Sequence, residues 1–277
     1  MWSELKTLAA ATAVLATLSM PASAQSIVSS GQSFVQGRLL PGAQLDDGAR
    51  LAGLRLSMAD GWKTYWRSPG DAGIPPNFDW SDSQNVAAVE VMWPRPGVFE
   101  SFGMMTIGYE TQVVLPLRIT PADPAAAMHV ALTAELGVCK EICVLERFDL
   151  SSDIMPDDRP VGAKQIDRAL ARVPGAAADL GLQRAECRIV GDGKKREFHL
   201  QIGFAADLAN PFVVLEGGNG VWLSRIQTTQ TAPGDLTVSA DLGLSEGVNW
   251  VNRSDFRTTV LADGFAADVQ GCAAPAG

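Results

Sequence analysis

An all-β fold follows from three features of the sequence. Short runs alternate apolar with polar or small residues. Gly, Pro, Asn and Asp separate those runs, and only one segment carries helical spacing. Ala49–Met58 (ARLAGLRLSM) is the clearest run, and Val113–Ile119, Met128–Leu136, Phe198–Ile202 and Leu236–Leu242 follow the same period. Period two puts one face of each strand on a core and the other in water, the pattern of antiparallel sheets. Asp47-Gly48 and Asp192-Gly193 suit hairpin turns, the second between Cys187–Val190 and Glu197–Ile202. Pro69–Pro76 (PGDAGIPP) reads as a structured loop, because proline cannot donate to a ladder. The helical exception is Val161–Val173, where Ile166, Ala169, Leu170 and Val173 share a face and Pro174-Gly175 ends the run. The expected organisation is two β-units of sandwich size, 25–154 and a smaller one at 183–277, joined by a helical connector at 155–182. A single large β-domain is the other arrangement these runs allow.

Composition narrows the function. The chain has 277 residues, 47% of them hydrophobic and 19% charged, which is enough apolar material for a core and too much for a disordered chain. The net charge of −9 and the lack of any basic run argue against nucleic acid as a partner, because phosphate backbones are repelled. Two histidines exclude a multi-His metal site and argue against a His-dependent triad, and no metal or other cofactor is expected. Residues 1–24 read as a signal peptide. Lys6 precedes an apolar stretch, Leu8–Leu18, and Ala22-Ser23-Ala24 supplies the cleavage pattern. That stretch as a helix would reach only about half of a ~30 Å hydrocarbon core. The expected location is the periplasm, where disulfides persist.

Four cysteines allow three pairings. Domain logic favours Cys139–Cys143 and Cys187–Cys272. The second pair would tie the first strand of the C-terminal unit to its tail, a structural bond of about 4–5 kcal/mol in the chain-entropy model. The first pair is different. Disulfide geometry needs Cα atoms about 4.4–6.8 Å apart, so Cys139-Lys140-Glu141-Ile142-Cys143 must turn back on itself. A bridge across so short a loop is a poor staple. By spacing alone it fits thiol–disulfide exchange, a small structural bridge or a metal-binding pair. Lys140 would favour a thiolate and Glu141 would oppose it.

The sequence around this pair resembles a known family. Val138–Val144 is similar to the redox motif of the N-terminal periplasmic domain of the DsbD/ScsB thiol:disulfide interchange proteins. Upstream, Gly61-Trp62-Lys63-Thr64-Tyr65-Trp66-Arg67-Ser68-Pro69-Gly70-Asp71-Ala72-Gly73 is similar to the GWxTYWRxPGDxG stretch of the ScsB-like branch. Trp93-Pro94, Gly108-Tyr109-Glu110 and Leu115-Pro116-Leu117 fit the next block. The resemblance covers about residues 30–150. It implies an immunoglobulin-like sandwich with a reversible disulfide, and a second immunoglobulin-like module is compatible with the ScsB branch.

The resemblance also implies roles. Cys143 would form mixed disulfides with partners and Cys139 would resolve them. Phe99, Phe102 and Tyr109 fall where the family carries an aromatic cap loop over its disulfide. Trp62, Tyr65 and Trp66 read as structural, with the two tryptophans on one face of a strand and Tyr65 on the other. The implied partners are a membrane-embedded electron-transfer protein on a separate chain and periplasmic thioredoxin-like proteins. The activity, if the pair cycles, is of protein-disulfide reductase type. The DsbD branch spaces its cysteines more widely, and this chain contains no C-x-x-C, so it is expected to be one stage of a relay.

Other signals carry less. A non-catalytic interaction module with two structural bridges is one alternative. A copper-handling protein using Met104 and Met105 with the Cys139–Cys143 sulfurs is another. Gly243-Leu244-Ser245-Glu246-Gly247 spells G-x-S-x-G, but the strand-like Val248–Val251 follows where a nucleophile elbow needs a helix. Asn252-Arg253-Ser254 is a glycosylation sequon by letters only, and Asp157-Asp158 reads as solvated loop charge.

Overall fold

The computed structural model describes residues 33–101, 103–156, 158–192 and 195–275. The expected signal peptide lies outside them. The first half contributes β1 (Val35–Leu40), β2 (Arg50–Met58), β3 (Lys63–Gly70), β4 (Asn77–Asp79), β5 (Val86–Val91), β6 (Gly97–Ser101), β7 (Met104–Glu110), β8 (Gln112–Pro121), β9 (Met128–Cys139) and β10 (Cys143–Ile154). One sheet runs β1-β2-β8-β5, and the other runs β10-β9-β3-β7-β6 with β4 beside β9. The two sheets face each other. Leu54, Leu56, Leu115, Leu117 and Ile119 of the first share a core with Trp66, Ile107, Val130, Leu132, Leu136 and Val138 of the second.

β9 shows how the sequence makes this layer. Met128, Val130, Leu132, Ala134, Leu136 and Val138 are buried at period two, and the residues between them are half-exposed as far as Glu135. From Gly137 onward both faces are buried, so something covers the outer face at the end of this strand. β9 pairs with β10 without interruption, from Met128 opposite Ile154 to Cys139 opposite Cys143.

Helix α1 (Ala163–Leu170) is shorter than the expected Val161–Val173. Gly162 before it has φ of 86°, a left-handed conformation that cannot belong to the helix. Ile166 and Ala169 are its buried face. Ile166 lies over Gly42 and Gly53, where an added Cβ would come within 3.1 Å of its side chain. The buried Arg50 donates to the carbonyls of Met155 and Pro156, so the chain leaving β10 is also fixed to the first sandwich.

The second half supplies β11 (Gly175–Ala176), β12 (Leu182–Val190), β13 (Arg196–Phe204), β14 (Phe212–Glu216), β15 (Val221–Ala232), β16 (Asp235–Leu244), β17 (Arg257–Ala262) and β18 (Phe265–Gln270). They form the sheets β11-β18-β17-β14 and β12-β13-β16-β15 around Phe198, Leu200, Ile202, Val238, Phe256 and Val260. Part of the expected connector therefore belongs to this sandwich. β11 pairs with β18, and Ala177 is in its core. Both sandwiches lie within one compact unit, Ser33–Gly277.

Two local expectations need correction. β3 runs into Pro69 and Gly70, which the sequence reading placed in a loop. Pairing with β7 breaks between Tyr65 and Gly70, so Pro69 sits at an irregularity where its missing N–H is not required. Val248–Val251 is not a strand. Val248 N–H donates to the Ser245 carbonyl, which makes the G-x-S-x-G segment a turn after β16.

Candidate functional site

Cys139 and Cys143 are joined across the mouth of the β9–β10 hairpin, with Cα atoms 4.2 Å apart. Lys140, Glu141 and Ile142 make the turn, closed by Lys140 N–H donating to the Ile142 carbonyl at 3.1 Å. The Lys140 ammonium does not turn to the sulfurs. It donates to the Asp60 carbonyl at 3.3 Å, which ties the turn to the loop before β3.

The two sulfur-bearing residues differ in access. Cys139 is only 7% exposed, whereas Cys143 is an exposed residue. Tyr65 sets up the difference. Lys63 and Thr64 of β3 pair with Cys139 and Val138, which brings the next residue beside the disulfide. The Tyr65 hydroxyl lies 2.7 Å from Cys139 Sγ and 3.6 Å from Cys143 Sγ. A disulfide sulfur carries no proton, so the phenol is the donor. Burial pushes the Tyr65 phenol up, which keeps it a neutral O–H donor at neutral pH.

Glycines make room for this ring. A Cβ on Gly73 would fall 2.7 Å from the Tyr65 ring, and one on Gly137 would fall 3.1 Å from the ring and 2.7 Å from the Ile74 Cβ. Tyr65 and Ile74 are therefore what covers the outer face at the end of β9. Around the disulfide, beside the exposed Lys140 and Glu141, three apolar side chains are open to solvent. Ile142 is 65% exposed, Leu145 61% and Ile74 40%. Leu145 stands opposite Gly137, and so beside the place where Ile74 packs.

Residues 36–153 match the family model described as "Thiol:disulfide interchange protein DsbD, N-terminal". Those residues are thus similar to the DsbD N-terminal domain. The matched segment holds the first sandwich from β1 to β10, including Tyr65 and both sulfurs of the hairpin. The chain also resembles the crystal structure of the N-terminal periplasmic domain of ScsB from Proteus mirabilis, with a TM-score of 0.69 and 23% identity. That likeness covers 90% of this chain and 97% of the other, so the shared fold takes in the second sandwich as well. No match was found among curated proteins.

Two of the aromatic residues expected as a cap are among the described residues, and they differ. Tyr109 is a core residue, and its hydroxyl donates to the Pro94 carbonyl at 2.7 Å. That burial corrects its expected place in an exposed cap. Phe99 is on β6 and half-buried, with the Lys63 ammonium 4.6 Å from its ring centroid. Phe102 lies outside the described residues. Trp66 is fully buried, and Trp62 packs at the edge of the same core, stacked on Phe34 at 3.8 Å. Sequence reasoning placed Tyr65 on the face opposite the tryptophans but gave it only a structural part. The missing step was that this face is the one turned to the cysteines.

Cys187 and Cys272 form the second bridge. Cys187 is buried in β12, and the tail is also held by Cys187 N–H to the Ala273 carbonyl and Ala273 N–H to the Ala185 carbonyl. Met104 and Met105 are exposed at the start of β7, where Asp71 accepts the Met105 N–H. Among the described residues no three His, Cys, Asp or Glu side chains gather as a metal site.

Tyr109 also gives a pH expectation. Burial pushes its phenol well above the ordinary value, so the fold favours the neutral form. Its contribution is fully present below about pH 10, where the unfolded phenol titrates, and is lost as pH rises further. Tyr109→Phe should cost about 1 kcal/mol at pH 7 through the lost hydrogen bond, yet lose less stability than wild type between pH 9 and 11. Urea unfolding at both ends of that range measures the difference.

Proposed function

We propose that the protein is a periplasmic thiol–disulfide exchange protein. In this reading it relays reducing equivalents through Cys139–Cys143, from a membrane-embedded donor on a separate chain to thioredoxin-like or substrate proteins. The observation that carries the reading is the asymmetry of the pair: an exposed Cys143, and a shielded Cys139 with a phenol O–H aimed at its sulfur. The family match over residues 36–153 supports it. No helix among the described residues is long and apolar enough to cross a membrane.

The chemistry follows from the geometry. A donor thiolate attacks Cys143 Sγ, the Cys139–Cys143 bond breaks, and Cys139 leaves as a thiolate. Tyr65 O–H donates to that thiolate and stabilises it, because a hydrogen bond to the charged form favours it. The donor's second thiolate then attacks its own sulfur in the mixed disulfide and releases Cys143. The donor leaves oxidised, and the pair has gained two electrons. In the second half-cycle the Cys143 thiolate attacks an acceptor disulfide. Cys139 then attacks Cys143 Sγ, the pair closes, and the acceptor departs as a dithiol. The apolar rim of Ile74, Ile142 and Leu145 supports docking of a partner that presents an apolar surface round its own cysteines.

The test is a redox titration of the full chain against dithiothreitol or glutathione, with thiols counted by alkylation. The expected potential lies between roughly −180 and −270 mV; a value well below about −300 mV would overturn the exchange reading in favour of a structural bridge. Tyr65→Phe should slow reduction of the pair by about tenfold, the size of one hydrogen bond to a charged sulfur.

A further inference from the structure

Two residues beyond Tyr65, a largely shielded side chain leaves the first sandwich and reaches the second. Arg67 is 11% exposed, and its Nε donates to both carboxylate oxygens of Glu216 at 3.1 Å. Its Nη2 donates to Thr259 Oγ1 at 2.9 Å and to Asp268 Oδ1 at 3.2 Å. Glu216 ends β14, Thr259 is on β17 and Asp268 on β18. Asp268 is held in turn by Thr259 and Arg257. The guanidinium also lies over the Trp66 ring, 3.9 Å from its centroid. Val214 of β14 belongs to the first core, and Phe212 packs against it, so the two sandwiches meet at this strand.

Trp66 anchors β3 in the first core just here, but the strand has few backbone restraints. Its register with β9 holds at Lys63 and Thr64. Its register with β7 holds from Lys63 to Tyr65 and is recovered only at Gly70. Ladder pairing therefore stops at the residue that carries the phenol. The next polar anchor along the strand is the Arg67 fork, whose partners are all in the second sandwich. A planar fork with several acceptors fixes direction as well as distance.

We propose that Arg67 is a positioning residue for the disulfide. By clamping β3 onto β14, β17 and β18 it keeps the Tyr65 hydroxyl on Cys139, and so makes the second sandwich part of the frame of the redox pair. The proposal rests on the exchange reading above, in which Tyr65 stabilises the departing Cys139 thiolate.

The experiment uses the full chain and follows reduction of Cys139–Cys143 by dithiothreitol from pH 6 to 9, with thermal unfolding in parallel. Wild type, Tyr65→Phe, Arg67→Ala, Arg67→Lys and Tyr65→Phe/Arg67→Ala are compared. Arg67→Ala should slow reduction by about three- to tenfold, as a displaced hydroxyl loses part or all of one charged hydrogen bond. The double variant should be no slower than Tyr65→Phe alone, because both changes remove the same contact. Arg67→Lys should recover part of the rate. Should Arg67→Ala fail to fold, Glu216→Gln weakens one arm of the clamp and should give a smaller slowing in the same direction. A lowered Tm with a wild-type reduction rate in Arg67→Ala, or in Glu216→Gln where only that folds, would overturn the proposal, as would slowing by Arg67→Ala that multiplies with that of Tyr65→Phe. Failure of the exchange reading is a separate result: the wild-type pair would then resist reduction across the shuttle range.

Discussion

Cys139→Ser is expected to trap partners through Cys143, and Cys143→Ser is expected to trap none. The reason is the unequal access of the two residues. Cys143 is exposed beside an open apolar rim, so its thiolate can reach an acceptor disulfide. Once the mixed disulfide has formed, only Cys139 is placed to displace the acceptor, from directly across the hairpin. With serine at 139 the adduct has no internal exit and should persist on a non-reducing gel. In Cys143→Ser the remaining thiol is 7% exposed and lies against the Tyr65 phenol, so a folded partner cannot approach it. Incubation of each variant with an oxidised thioredoxin-like protein, followed by mass spectrometry of the adducts, measures the contrast. Equal trapping by the two variants, or trapping by Cys143→Ser alone, would remove the assigned roles.

Removing the other bridge should have the opposite profile. Cys187 and Cys272 are 85 positions apart, and linking them constrains nearly all of the second sandwich in the unfolded chain. Cys187→Ala/Cys272→Ala is expected to cost about 4–5 kcal/mol in the chain-entropy model, a large share of a typical total of about 5–15 kcal/mol. In Tm this is a fall of roughly 10 °C or more. The rate of Cys139–Cys143 reduction measured well below that Tm should stay close to wild type. Cys139→Ala/Cys143→Ala closes no such loop and should cost less than half as much. Calorimetry of the two double variants, beside alkylation-counted reduction of the first, tests the division. A larger loss from the hairpin pair would make that bond the staple.

Much of the architecture was legible because period-two burial is written residue by residue. Ala49–Met58 is strand from Arg50 on, Met128–Leu136 and Leu236–Leu242 fall wholly within strands, and the short helical run delivers Ile166 to a pair of glycines. The paired cysteines were legible because a turn between them is the only way to meet disulfide geometry. The cover over Cys139 was not. Tyr65 and Cys139 are 74 positions apart, and their contact depends on which strands neighbour each other, which alternation does not encode. Arg67 was hidden for the same reason, since its partners lie 149 to 201 positions away in the other sandwich. Tyr109 misled because an aromatic near a motif reads alike whether it covers a site or fills a core; its hydrogen bond to Pro94 decides for the core. Pro69 misled because proline is barred from regular ladders, while β3 is irregular just there.

The β9–β10 ladder runs unbroken from Met128 to Cys139, so parting the sulfurs removes a rivet at the tip and leaves the zip closed behind it. On the exchange reading the tip should keep one outline whether charged or spent. Molecules that load it and molecules that unload it would then queue for the same berth, and a slow departure by either kind would throttle the traffic of both.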